Sequence, residues 1–73
     1  MKILYDRETD TLTIMFREAH ISESDEIKEG IIIDYDNEGK AVSIELLDAS
    51  KNISEPTGIL FEIKEEVHKA INL

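Results

Sequence analysis

The sequence predicts an α+β fold, an antiparallel sheet made of two similar β-hairpins with one C-terminal helix packed on one of its faces. In residues 1–16 and 31–47, apolar and polar positions alternate with the period of two that is typical of strands, which predicts four main strands. Near the C-terminus, apolar residues recur three and four positions apart, as on one side of a helix. A chain of 73 residues is expected to form a single domain.

The first hairpin spans residues 1–16. Ile3 and Tyr5 lie on one face of its first strand, and the second strand alternates in the same way. Pairing Tyr5 with Leu12 and Ile3 with Ile14 keeps this face apolar, whereas a slip of one residue would turn the apolar side chains to the other face. This register requires an even number of loop residues, most simply four.

The second hairpin spans residues 31–47 and turns at a polar stretch that contains Gly39. The same rule predicts another four-residue loop. The pairs expected on the apolar face are Ile31–Leu46, Ile33–Ile44 and Tyr35–Val42.

The two hairpins also resemble each other at an offset of 30 residues. Ile3, Tyr5, Asp6, Glu8 and Ile14 recur as Ile33, Tyr35, Asp36, Glu38 and Ile44. An internal duplication explains this similarity, and so does convergence between two hairpins whose turns begin with Asp.

Two segments connect the predicted elements. Residues 17–30 form a strongly acidic connection that closes at Gly30, and a short edge strand around residues 21–27 is compatible with it. Charged side chains on such an edge would oppose unwanted pairing with other sheets. Residues 48–57 break the alternation and contain Pro56, which is typical of a linker.

The C-terminal helix is predicted over residues 58–71, with Thr57 as its N-cap. Its apolar side would cover the apolar face of the sheet and consists of Leu60, Ile63, Val67 and Ile71. Residues 59–63 are also rich in strand-forming side chains, so the sequence leaves open whether they are helix or strand.

Acidic residues outnumber basic ones by 17 to 8, which gives the chain a net charge of −9. Proteins that bind nucleic acid directly concentrate positive charge, so this class is not expected. A basic protein partner or a divalent cation suits the charge better. Because no apolar run reaches the roughly 20 residues of a membrane helix, a cytoplasmic location without membrane association is expected.

One motif has the spacing of an EF-hand calcium loop, D-x-D-x-E-G-x5-E, which runs from Asp34 to Glu45. An EF-hand requires a helix on each side, whereas strands are predicted here, so we interpret the motif as the turn of the second hairpin. A solvated polar surface explains its carboxylates. The alternative is a weak divalent-cation site formed by Asp34, Asp36, Glu38 and Glu45.

The opposite face of the sheet is not wholly polar, because the alternation places four apolar residues on it: Leu4, Met15, Ile32 and Leu47. An apolar stripe on so small a sheet suggests a contact with a partner or with a second copy in a homodimer. Scattered exposed aliphatic side chains are an equally simple interpretation.

Nothing in the sequence points to catalysis. The serines lack the context of a nucleophile elbow, and the sequence contains no glycine-rich phosphate loop. We therefore predict that the chain is not an enzyme, and we assign it no catalytic residue and no cofactor.

Several short motifs taken together resemble one protein family. They are Tyr5-Asp6, Asp10, Leu12, Ile14, Gly30, Ile33-Asp34-Tyr35-Asp36, Gly39, Val42, Ile44-Glu45 and Asp48-Ala49-Ser50. Over about residues 1–50, this pattern is similar to the prokaryotic domain of unknown function family 2283. The resemblance implies a small, mostly β protein without an established activity, and some relatives look like the antitoxin halves of toxin–antitoxin pairs.

The expected function is that of a small acidic protein-interaction module, with an antitoxin-like role against a basic toxin as its most concrete form. The alternative is a weak divalent-cation-binding module built on the hairpin between Asp34 and Glu45. The chain departs from the family pattern in its longer tail after Ser54, which is either the partner-binding element or the cover of the core.

Overall fold

The structure, a computed structural model, describes residues 1–65. Its elements follow in chain order: β1 (Lys2–Asp6), β2 (Thr11–Met15), β3 (Glu23–Lys28), β4 (Ile31–Tyr35), β5 (Ala41–Leu46) and α1 (Ala49–Asn52). The five strands form one antiparallel sheet in the order β1-β2-β5-β4-β3. Within residues 1–65, no helix is long and apolar enough to span a membrane.

The predicted α+β fold is wrong, because the structure is a β-sheet with one helix of four residues. Residues 58–65 of the predicted helix are not helical, and residues 66–71 lie outside the described residues. The hydroxyl of Thr57 donates to the Glu55 carboxylate at 2.9 Å instead of capping a helix. An amphipathic helix gains most of its stability by packing its apolar side, and Leu60 is 82% exposed.

β1 and β2 pair in the predicted register, with Ile3 opposite Ile14 and Tyr5 opposite Leu12. The loop between them has the predicted four residues, and Asp10 closes it in the left-handed conformation with a φ of 56°. The alternation of apolar side chains is therefore sufficient to set the register of this hairpin.

Two of the pairs predicted for the second hairpin are confirmed, namely Ile31–Leu46 and Ile33–Ile44. The third is wrong, because Tyr35 lies opposite Ala41 and Val42 is an extra residue that forms a bulge in β5. The loop accordingly has five residues, 36–40, instead of the predicted four.

The carboxylate of Asp36 shapes this loop. Its Oδ1 accepts hydrogen bonds from the backbone N–H groups of Glu38 and Lys40, each at 2.9 Å. Gly39 lies in the left-handed region with a φ of 82°, and its N–H donates to the carbonyl of Asp36 at 3.0 Å. A loop wrapped around one carboxylate uses one residue more than the alternation alone predicts.

The edge strand considered for the acidic connection is present as β3, which pairs with β4. The register between them shifts between Glu26 and Lys28, which leaves Ile27 unpaired and 50% exposed. Gly30 turns the chain into β4 with a φ of 81°, and its N–H donates to the Glu26 carboxylate at 3.0 Å. β3 is therefore a charged and irregular edge, as expected of a strand that resists further pairing.

The central strands β2 and β5 relate the two hairpins to each other. Ile14 lies opposite Ile44, and these two residues are also equivalent at the offset of 30 residues. Equivalent residues that meet across an antiparallel pair mark an approximate two-fold axis perpendicular to the sheet. β1 thus corresponds to β4, and β2 to β5, which is the arrangement that a duplicated hairpin would produce.

The turn of the first hairpin binds α1, a helix that lies within the segment predicted as a linker. The carbonyl of Asp10 accepts the N–H of Ala49 at 2.9 Å, and its carboxylate accepts the N–H and the hydroxyl of Ser50 at 3.0 and 2.7 Å. The hydroxyl of Tyr5 donates to the same carboxylate at 2.6 Å. Ala49 is fully buried as a result, and the chain after β5 is fixed beside the first hairpin.

Candidate functional site

The front face of the sheet, defined here as the face that carries Ile14 and Ile44, consists of rows of paired residues. One row contains Ile3, Ile14, Ile44, Ile33 and, on β3, Asp25. A second row contains Tyr5, Leu12, Leu46, Ile31 and Lys28. The front face is therefore apolar across the two hairpins and charged where it reaches β3.

The segment after α1 covers part of the front face. One groove is lined by three of its apolar residues and by three from the first hairpin: Ile53, Pro56, Ile59, Ile3, Leu12 and Ile14. The cover is incomplete, since Ile3 remains 37% exposed and Ile59 61% exposed.

Few apolar side chains are buried. Among the described residues, the buried hydrophobic ones are Leu12, Val42 and Ala49. The large hydrophobic residues that are exposed are Met1, Ile3, Leu4, Phe16, Ile21, Ile27, Ile59, Leu60, Phe61 and Ile63. These exposed residues do not form one surface, because Ile3 lies on the front face, Leu4 lies on the opposite face, and Ile59, Leu60, Phe61 and Ile63 lie on the segment after α1.

The acidic edge, defined here as Glu23, Asp25 and Glu26 of β3, borders the front face, with Glu23 and Asp25 on the front side and Glu26 on the back. All three residues are exposed. Within residues 1–65, none of these carboxylates has a basic side chain within 4.0 Å. The edge therefore presents uncompensated negative charge beside an apolar surface.

A second group of polar side chains, the carboxyl cluster, lies on the back face and consists of Asp34, Glu45, Ser24 and Ser43. Asp34 is only 2% exposed, and it accepts hydrogen bonds from the hydroxyls of Ser24 at 2.5 Å and Ser43 at 2.7 Å. Pairing of β4 with both β3 and β5 places one serine on each side of Asp34. Its burial is therefore compensated by hydrogen bonds from both neighbouring strands.

The pKa values of the two carboxyls move in opposite directions. Burial acts to raise the pKa of Asp34, but hydrogen bonds from Glu45, Ser24 and Ser43 outweigh it, so the pKa lies below its ordinary value. The pKa of Glu45 is raised by its hydrogen bond to Asp34, by partial burial and by the neighbouring negative charge. Asp34 thus carries the charge, and Glu45 holds its proton more tightly than an isolated glutamate.

The serines of the carboxyl cluster were not among the predicted site residues. Ser43 could have been found, because the predicted register of the second hairpin already places it opposite Asp34 on the back face. Ser24 could not, since its position depends on the pairing of β3, for which the sequence gives no register.

The four residues considered for a divalent cation do not converge. Asp34 and Glu45 meet in the carboxyl cluster, whereas Asp36 binds the loop backbone and Arg17, at 3.1 Å. Glu38 lies at the exposed end of the hairpin, with Lys40 4.0 Å away. Within residues 1–65, no group of three or more acidic or histidine side chains is arranged to hold a metal ion.

The four residues considered for a dimer or partner contact on the back face are also separated. Leu4 and Ile32 lie in one row, but Thr13 and Glu45 stand between them. Met15 lies in the neighbouring row, which also contains Ser43. Leu47 follows β5, and its N–H donates to the carbonyl of Gly30 at 2.9 Å. Leu4 is the most exposed of these side chains, at 50%.

The fold and the site thus define a small antiparallel β protein with an incompletely covered apolar face, an acidic edge and a carboxyl pair of which Asp34 is buried. The chain belongs to the family described as Protein of unknown function (DUF2283), whose sequence model matches residues 2–50. The matched region contains all five strands and the carboxyl cluster, and it ends before the segment after α1. No curated protein and no solved structure matches the chain.

Proposed function

We propose that this protein is an acidic protein-interaction module of the cytoplasm that binds a basic protein, with antitoxin-like neutralisation of a basic toxin as its most concrete form. The observation that carries the proposal is the front face, an incompletely covered apolar surface bordered by the acidic edge. Interfaces between proteins typically combine an apolar centre with a polar rim, and complementary charge fixes the orientation of the partner.

The partner that fits this surface presents apolar side chains flanked by Lys or Arg. Contact with Ile33 and Ile44 would supply burial, and contact with the acidic edge would supply charge complementarity. Toxins that act on nucleic acid need a basic surface to hold the phosphate backbone. A module that covers such a surface would exclude the nucleic acid and so neutralise the toxin.

Co-expression with the product of the neighbouring gene tests the proposal. We expect a stable complex on size-exclusion chromatography, and relief of any growth defect that the neighbouring protein causes alone. The complex should weaken as salt is raised, because exposed charge pairs are screened. Failure to form a complex, together with no relief of a growth defect, would contradict the proposal.

A matched pair of charge variants locates the surface. Glu23→Lys combined with Asp25→Lys reverses the acidic edge, while Glu8→Lys combined with Glu38→Lys makes the same change of net charge at exposed positions near the hairpin turns. We expect the first pair to weaken the complex about tenfold or more and the second to have a much smaller effect. Equal effects would assign binding to net charge instead of to the front face.

A further inference from the structure

The approximate two-fold axis relates two strand edges that differ in one respect. β4 corresponds to β1, and its outer edge is paired with β3. The equivalent outer edge of β1 has no strand beside it within residues 1–65. The structure therefore contains one covered edge and one open edge of the same kind.

The hydrogen-bonding directions in β1 follow from the alternation of an antiparallel ladder. The N–H of Phe16 donates to Val42 on β5 at 2.8 Å, so the even-numbered residues of β2 bond to β5 and the odd-numbered ones to β1. With Leu4 opposite Thr13, the even-numbered residues of β1 bond to β2. Ile3 and Tyr5 therefore direct their N–H and C=O groups away from the sheet.

The open edge lacks the features that keep sheets apart. β3 has a register shift and carries charge at four of its six residues, whereas β1 pairs regularly and carries charge only at its two ends. The residues between those ends are apolar or aromatic, and Leu4 is 50% exposed. A regular apolar edge of this kind is a template for another strand.

We propose that β1 pairs antiparallel with β1 of a second copy of this chain, with the two-fold axis at Leu4. The sequence Lys-Ile-Leu-Tyr-Asp is self-complementary in this register. Lys2 lies opposite Asp6 of the second copy, Ile3 lies opposite Tyr5, and Leu4 meets Leu4. The opposite charges and the aliphatic–aromatic pairs both stabilise cross-strand neighbours.

The backbone supports the same register. Ile3 of each copy forms a hydrogen-bonded pair with Tyr5 of the other through the groups that point outward. Leu4 faces Leu4 of the second copy in a pair that has no hydrogen bonds between the two copies. The result is one continuous ten-stranded sheet whose two apolar front faces lie on the same side. This dimer uses only Leu4 of the four back-face residues considered from the sequence, and it does not depend on the proposed basic partner.

Reversal of the two terminal charges tests the register. Lys2→Asp places like charges opposite each other in the dimer, and so does Asp6→Lys. We expect each variant alone to dimerise about tenfold or more weakly than the unmodified chain in sedimentation equilibrium at low salt. An equimolar mixture of the two variants should form heterodimers, because every facing pair then has opposite charges.

The mixture also separates a lost interface from a lost fold. Asp6 accepts the N–H of Glu8 at 2.9 Å, so Asp6→Lys could disturb the turn, and a misfolded variant would fail to form heterodimers. Circular dichroism identifies that case. Folded variants that do not associate when mixed would overturn the proposal. So would an unmodified chain that stays monomeric up to about 500 µM, a concentration well above the dissociation constants of weak interfaces.

A cross-linking experiment tests the position of the axis. The chain has no cysteine, so Leu4→Cys introduces a single thiol, which should form a disulfide with the second copy under mild oxidation. Ile27→Cys is the control, because Ile27 is equally exposed, at 50%, but lies on the β3 edge. We expect at least tenfold faster cross-linking through position 4. Equal rates at the two positions would contradict the β1 interface and indicate random collision.

Discussion

The two hairpins share their register at the centre of the sheet but differ sharply in what they bury. At the offset of 30 residues, Leu4 corresponds to Asp34 and Thr13 corresponds to Ser43. Leu4 is apolar and 50% exposed, whereas Asp34 is charged and 2% exposed. This inversion shows that the neighbouring strand, more than the residue type, decides burial, since β3 covers one edge and leaves its counterpart open.

The same comparison explains why a buried carboxylate is tolerated. An isolated ionised carboxylate inside a protein is strongly destabilising, but Asp34 lies between two strands that each supply a serine hydroxyl. No such pair of neighbours exists for Leu4, because β1 has only β2 beside it within residues 1–65. The covering strand thus contributes a hydrogen-bond donor as well as surface area.

Of the equivalent residues Leu4 and Asp34, Asp34 is buried, and truncating its side chain is expected to have the largest effect. Asp34→Ala leaves the buried hydroxyl of Ser43 without its acceptor, removes the hydrogen bond from Ser24 and removes packing, so we expect a loss of about 3 kcal/mol in the free energy of unfolding. Leu4→Ala should cost under about 1 kcal/mol, because the side chain is half exposed. Urea denaturation at low protein concentration measures both. Equal losses would show that β3 does not distinguish the two edges.

A second comparison concerns the two hairpin turns. Asp10 adopts a φ of 56° and holds Tyr5 and Ser50 through its carboxylate, whereas its counterpart Lys40 is exposed. Asp10→Ala removes these hydrogen bonds and places alanine in a conformation that it disfavours. We expect a fall of several degrees in the melting temperature, measured by circular dichroism, and almost no change for Lys40→Ala. An Asp10→Ala variant with an unchanged melting temperature would contradict the role of this carboxylate in binding α1.

A smaller effect is expected at the tip of the second turn. Gly39 has a φ of 82°, and the space around it is open, so a substitution meets backbone strain and no steric clash. Gly39→Ala should lower the free energy of unfolding by about 1 kcal/mol, while Thr9→Ala at the equivalent position should be close to neutral. Chemical denaturation of both variants checks this. A neutral Gly39→Ala would mean that the loop rearranges.

The smallest expected effect is the pH dependence that Glu45 contributes. Its pKa is raised above the ordinary 4.5, so its contribution to stability is fully present below that value and is lost as pH rises through the folded-state pKa. The pKa values of Asp10, Asp34 and Asp36 are lowered from 3.8, so their contributions are present above 3.8 and are lost as pH falls through the lowered values. Stability from these groups therefore peaks near pH 4.

Glu45→Gln isolates this contribution, because the amide can replace the protonated carboxyl as a donor to Asp34. The variant should lose the decline in stability between about pH 4.5 and neutrality while keeping the decline at lower pH. Thermal denaturation at a series of pH values measures both. An unchanged profile would show that Asp34 does not raise the pKa of Glu45.

The sequence predicts the fold best where apolar alternation is the dominant constraint. The registers through Ile3–Ile14 and Ile33–Ile44 follow from it, because a slip would expose an entire apolar face. The pair next to the second turn fails, since hydrogen bonds to the carboxylate of Asp36 determine the loop there. Alternation carries no information about such local bonds.

The remaining errors have equally specific causes. The predicted helix over residues 58–71 rested on spacing, but spacing does not show whether the apolar side finds a surface to pack on. The position of Ser24 depends on a strand whose register is interrupted at Ile27 and whose side chains are mostly charged. Asp34 and Glu45 both belong to the cation site considered from the sequence, but the burial of Asp34 requires β3, a strand with which the sequence is only compatible.

Amide hydrogen exchange, measured residue by residue by NMR, tests the difference between the two edges most directly. Ile33 and Tyr35 direct their N–H groups toward β3, and the equivalent Ile3 and Tyr5 direct theirs away from the sheet. At low protein concentration, we expect the first pair to be protected and the second to exchange as fast as exposed amides. Equal protection of both pairs at low concentration would contradict the account.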